Sequence, residues 1–240
     1  MTTDKYTLTD DTITVGSLTL YRIRALRAFG TVAAGDLGGY VASTDNLSQD
    51  GNAWVTDNAW VSGNAWVTGN AWVTDNARIT GNALVAGRAQ VSGDAQVTDS
   101  AWITDNALVS GNARVSGHAR ITDNARVTDN ARVADRAEVT DRAEVTDNAL
   151  VAGHAWVTGN ARVTRDTVCV DDLLWPVTIT DNHMQIGCEL HTFAAWERFS
   201  DREIAVMGGR NAREFWRQHK ASLFELLAST GRHVPITTEN

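Results

Sequence analysis

From Gly51 to Thr164 an apolar residue returns at every sixth position, with alanine two places before it, nineteen times without a slip. The phrase begins GNAWVT, DNAWVS, GNAWVT and ends GHAWVT, GNARVT. Its third position is Ala throughout, from Ala53 to Ala161, and its fifth is Val, or Ile at Ile79, Ile103 and Ile121. A fixed period of six predicts a parallel β-helix. The last three residues of each hexad read as a very short strand whose middle residue faces in and whose neighbours face out. That inward place suits stiff β-branched side chains. The Gly/Asp–Asn–Ala triplet reads as a corner, since Gly, Asp and Asn tolerate left-handed backbone angles and satisfy local backbone groups. Three hexads close a triangular coil of eighteen residues, giving a little over six coils and a rod roughly 30 Å long at the ~4.8 Å strand spacing.

The outward fourth position is the one that varies widely, and taking every third hexad sorts it into three faces. One carries Trp54, Trp72, Gln90, Leu108, Arg126, Glu144 and Arg162; the next Trp60, Arg78, Gln96, Arg114, Arg132 and Leu150; the last Trp66, Leu84, Trp102, Arg120, Glu138 and Trp156. Trp54, Trp60 and Trp66 ring the first coil on all three sides, so the amino-terminal segment or neighbouring subunits are expected to wrap that end. Trp66, Leu84 and Trp102 form an apolar ridge, which marks an interface; an aromatic platform for a ligand base or sugar is the competing reading. Arg126–Glu144–Arg162 and Arg120–Glu138 read as solvated cross-strand pairs. Arg114 and Arg132 stack like charges and could contact a carboxylate or phosphate. His118 and His154 replace the usual corner Asn on one corner, two coils apart.

Outside the repeat the pattern changes. Residues 1–50 read as an amino-terminal β cap, 51–170 as the repeat and 171–240 as a hairpin followed by helices. Ser17–Ala25 reads as a strand and Gly35–Gly39 as a turn cluster. Val41 and Leu47 are already six apart, so an imperfect coil starts there, with Gln49-Asp50 a two-residue insertion. Val177–Thr180 and His183–His191 read as the two strands of a hairpin around Asp181-Asn182. On that reading Met184, Ile186, Cys188 and Leu190 share a face, which makes Cys188 a core residue, and His183, Glu189 and His191 share the other as weak metal candidates; no metal site is assigned. Ser200-x-x-Glu203 is a capping box, and a second helix starting near Asn211 carries a stripe of Ala212, Phe215, Trp216, His219, Leu223, Leu226 and Leu227. Its expected partner is the underside of the rod or another subunit.

Composition narrows the function. The chain of 240 residues has a net charge of −8, and within the repeat nine arginines and no lysine stand against twelve carboxylates. With no basic footprint, nucleic acid is excluded as a partner. Two cysteines do not make a disulfide-stapled secreted fold. The polar start MTTDKYTLTDD does not read as a signal peptide and no apolar run approaches a membrane span. These features predict a protein of the cytoplasm with no membrane partner. No cofactor is expected.

Three blocks carry a resemblance: Leu20–Leu26 with Gly35–Gly39, the GNA-W/R-V repeats, and Met184–Cys188 with Glu214-Phe215-Trp216. Together they resemble hexapeptide-repeat proteins encoded by tailed phages and prophages, a family described as polymer-forming or acetyltransferase-like. The repeat itself is similar to that of trimeric acyltransferases, which implies a left-handed parallel β-helix and a homotrimer in the host cell cytoplasm. In those enzymes a histidine acts as general base near a subunit boundary, but here neither His118 nor His154 has the interrupting loop that shapes such a site. The expected function is a non-enzymatic scaffold or binding module, whose partner is a host or phage protein. The alternatives are a sponge holding a nucleotide-type host signal at subunit boundaries as an anti-defence device, and an acyltransferase.

Overall fold

The computed structural model describes residues 4–232, so the first three residues of the polar start and Pro235 lie outside it. Three amino-terminal strands, β1 (Tyr6–Val15), β2 (Leu18–Ala25) and β3 (Leu37–Val41), lead into nineteen two-residue strands, β4 to β22, one per hexad from Trp54–Val55 to Arg162–Val163. Strands eighteen residues apart pair in parallel, as in Trp66↔Leu84 and Val67↔Val85, and stack into three sheets of six, seven and six repeat strands, the first extended to nine by β1–β3. The result is a parallel β-solenoid of about seven turns. Every hexad Ala and every hexad Val or Ile is at most 1 % exposed. The core is thus one continuous column, which exists only when coils stack.

The hexad's first residue explains the corner. All nineteen, ten Gly and nine Asp, have positive φ, at 65–73° for Gly and 57–60° for Asp. The ladder uses the amides of the second, fourth and sixth residues, as in Asn58 to Asp75 O, Trp60 to Ala77 O and Ser62 to Ile79 O. It leaves the first amide over. Where the preceding coil carries Asp, its carboxylate in most cases accepts that N–H: Asp75 from Gly93 at 2.9 Å, Asp99 from Gly117 at 3.0 Å and Asp135 from Gly153 at 2.9 Å. Second-position asparagines stack as amide ladders, such as Asn112 Nδ2 to Asn130 Oδ1 at 3.1 Å.

The opening coil is irregular as expected: Val41 pairs with Val61 and Leu47 with Val67, a spacing of twenty rather than eighteen. Gly35–Gly39, however, is a turn only at its start, where Gly35 has φ +95° and the Asp36 amide donates to Ala33 O at 3.2 Å. Leu37–Val41 is β3, paired with β2 on one side and with the repeat strand of Trp60 on the other. Gly38 and Gly39 sit inside it because there is no room for a side chain: a Cβ on Gly38 would lie 2.5 Å from Ile23 Cγ1, and one on Gly39 2.4 Å from Ala59 O. The open edge at this end is closed by buried polar groups. Asn46 donates to Gly63 O and Ala65 O and accepts from the amides of Ala42 and Ser43. Lys5 Nζ donates to Ala53 O at 2.8 Å, and the Tyr6 hydroxyl to Leu47 O at 2.7 Å.

The other end carries a four-stranded antiparallel sheet, β23 (Val168–Val170), β24 (Val177–Ile179), β25 (His183–Ile186) and β26 (Glu189–Thr192), then α1 (Phe193–Arg198) and α2 (Asp201–Ser229). Its side chains cap the last coil: Asp166 accepts from the Leu150 amide, Thr178 from Trp156 and Asp181 from Thr164. Satisfied edges of this kind keep a solenoid from growing by strand pairing. Three expectations are corrected here. His183–His191 is not one strand but a hairpin, turning at Gly187-Cys188 with Gly187 at φ +56°. Cys188 is therefore exposed at the turn rather than in the core. The stripe from Ala212 to Leu227 packs neither under the rod nor on a partner: Phe215, Trp216, Leu223 and Leu227 join Val177, Ile179, Met184 and Ile186 in a second core. Ser200 and Glu203 form the expected capping box, and α2 is kinked at Gly208-Gly209.

Candidate functional site

Trp66, Leu84 and Trp102 lie on successive rungs of the six-stranded sheet. The indoles remain 47 % and 44 % exposed and Leu84 is half-buried. Below them the same face turns polar. Arg120 stacks over the Trp102 ring, 5.1 Å from its centroid, and approaches Glu138 at 3.9 Å. The next rung is Trp156, again exposed. The face thus has an apolar upper half and a charged lower half that ends on an aromatic.

Only one of the three first-coil tryptophans is wrapped. Trp54 is 2 % exposed beneath Tyr6 and Phe29, whose rings meet it edge-on at 6.3 and 5.3 Å. Trp60 is half-buried beside Arg78, and Trp66 is left open. The amino-terminal strands extend the sheet that carries Trp60, so they cover its corner with the neighbouring face and leave the third face free.

At the lower end of that third face the carboxy-terminal sheet docks and creates a cleft of about 240 Å³. Arg136, Glu138, His154 and Trp156 line it from the solenoid, Thr178 and Gln185 from the sheet. His154 Nδ1 lies 3.2 Å from Asp171 Oδ2, which orients the ring. Gln185 is buried, with Nε2 donating to Gly187 O at 3.0 Å. His154 and Trp156 are therefore brought together, with Arg136 and Glu138 added.

The remaining candidates stay apart from this cleft. His118 is exposed on the same corner two coils away, with Arg136 on the rung between. Arg114 and Arg132 pair in register on the nine-stranded sheet, both exposed, on a different face from the tryptophan ridge. His183, Glu189 and His191 lie on the adjacent strands β25 and β26, with Glu189 and His191 paired at 3.3 Å. Burial, then the nearby His191, holds the His183 imidazole below its usual pKa. Among the described residues no group of three or more His, Cys, Asp or Glu could hold a metal ion. No helix among them is long and apolar enough to cross a membrane.

Compared with known proteins, the chain matches no protein-family model and no curated relative.

Proposed function

We propose that this chain is a non-enzymatic scaffold or binding module that assembles through its six-stranded face into a homo-oligomer, a trimer by analogy with the repeat it resembles. Its phage origin, its setting in the host cytoplasm and a left-handed winding rest on the same resemblance. The observation that carries the reading is the Trp66–Leu84–Trp102 ridge: two indoles nearly half exposed on adjacent-but-one rungs of a regular sheet. Water-facing aromatics of that size gain by association, and tryptophan is enriched where chains meet.

The cleft at Trp156 supports a second reading, capture of a nucleotide-type ligand. Trp156 offers a face for a flat base and Arg136 a charge for an anion, next to the surface where chains would meet. Acyl transfer would use the same cleft, with His154 as its base. Native mass spectrometry on protein expressed in a bacterial host tests these together. A trimer without added mass supports the scaffold; stoichiometric added mass that is lost in a Trp156→Ala/Arg136→Ala variant supports capture. A monomer at micromolar concentration contradicts the assembly reading.

A further inference from the structure

The carboxy-terminal core contains a cavity of about 160 Å³ that the proposed assembly does not use. Its wall is mostly aromatic and aliphatic, with Trp175, Trp196, Phe215, Trp216 and Met207, and Glu189 is the one charged residue in the lining. The rings are held in place by one another and by the backbone. Trp175 meets Phe215 edge-on at 5.2 Å, Trp196 meets Trp216 at 5.0 Å, and Trp196 Nε1 donates to Met184 O at 2.6 Å. The walls are therefore pinned around the space.

The kink in α2 helps to build this cavity. Gly208 has φ −155° and ψ 26°, and Gly209 φ 70° and ψ −149°, a region open in practice only to glycine. Two consecutive glycines inside a helix each cost about 1 kcal/mol relative to alanine. Here they swing the first part of the helix, with Ile204 and Met207, over the mouth, and Gly208 itself lines it. A straight helix would carry those two side chains elsewhere. A half-open pocket walled by four rings under a glycine kink has the form of a receptor. Its volume, about 160 Å³, matches a single benzene-sized molecule.

We infer that the carboxy-terminal unit binds a small, neutral, single-ring or similarly compact apolar molecule between Trp175, Trp196, Phe215 and Trp216, under the Gly208-Gly209 kink. Ring faces and the Met207 thioether favour a flat unsaturated occupant. Its lining shares only Gly187 with the cleft at Trp156, so the two sites are separate. Cys188, exposed at the rim, serves as a reporter.

The test uses the full chain and fluorobenzene as probe. Ligand-observed fluorine NMR should give saturable binding at one site per chain, with Kd on the order of 0.1–1 mM. Saturating probe should slow maleimide alkylation of Cys188, read by peptide mass mapping, at least twofold. Ala212→Leu, which pushes a larger side chain into the cavity from α2, should weaken binding at least tenfold, while Trp66→Ala should leave it unchanged. A signal that rises linearly with probe concentration overturns the inference. So does an unprotected Cys188, a readout that stands even where Ala212→Leu fails to fold. Equal binding by a folded Ala212→Leu overturns it too, as does binding that vanishes in Trp66→Ala.

Discussion

At the first hexad position two residue types, Gly and Asp, share one backbone conformation for different reasons. Glycine meets positive φ at no steric cost, whereas Asp meets it at some cost and accepts a hydrogen bond from the following coil. The bond is shorter where the donor is Gly, 2.9 Å from Gly159 to Asp141, than where it is Asp, 3.5 Å from Asp147 to Asp129. Asp99→Ala should therefore lower the unfolding free energy by about 1–2 kcal/mol, since both the φ tolerance and the bond to Gly117 are lost. Asp99→Gly should cost roughly half as much, and urea titration separates the two. Hydrogen bonds from Thr146 and Thr128 hold the Asp129 carboxyl below its usual range, so its support is lost as pH falls through that lowered pKa. The amino-terminal cap titrates at the other end of the scale. Burial lowers Lys5 from 10.5 to about 8 and raises Tyr6 above its ordinary 10.0. Between pH 8 and 10 the unfolded chain holds a Lys5 proton that the folded chain has released, so stability rises with pH. Above pH 10 the unfolded Tyr6 ionises first, and stability falls. Melting temperatures of wild type and Lys5→Met across pH 7–11 check this: the rise between 8 and 10 should vanish in the variant.

Elements differ in how plainly the residues announce them. The solenoid strands are legible because one inward Val or Ile per hexad leaves a single register, and even the irregular first coil shows in the spacing of Val41 and Leu47. β3 is not, because Gly38-Gly39 signals a turn to any reader who cannot see Ile23 and Ala59 pressing on it. The β25–β26 turn hides for the opposite reason. Met184, Ile186, Cys188 and Leu190 keep an alternating pattern straight through it, and the one available signal was Gly187 opening a two-residue turn. The cleft at Trp156 was half legible: His154 and Trp156 stood out, but Thr178 and Gln185 join them only when the terminal sheet docks. Two separate cores imply two responses to mutation. Val109→Asp puts a charge at mid-stack and should abolish the solenoid's β signal in circular dichroism. Gly209→Ala should destabilise the helical unit by about 1–3 kcal/mol and leave the solenoid transition unmoved, as calorimetry would read it.

The molecule as a whole is a rod closed at both ends, with exposed tryptophans along one lateral face. Buried polar caps at Asn46 and Lys5, and the contacts of Asp166, Thr178 and Asp181, stop it from extending end to end. On the proposed reading, assembly is left to the lateral faces, with the tryptophan ridge on the third of these as its surface. Legibility at this scale was uneven: the rod's length and three faces follow from a count of hexads, but the covering of Trp54 by Tyr6 and Phe29 depends on residues some fifty and twenty-five places earlier. Sedimentation velocity of wild type beside Trp66→Ala/Trp102→Ala tests the central claim most directly. The account predicts a wild-type homo-oligomer and a folded, monomeric double variant with unchanged circular dichroism; a monomeric wild type, or an oligomer that survives loss of both indoles, would contradict it.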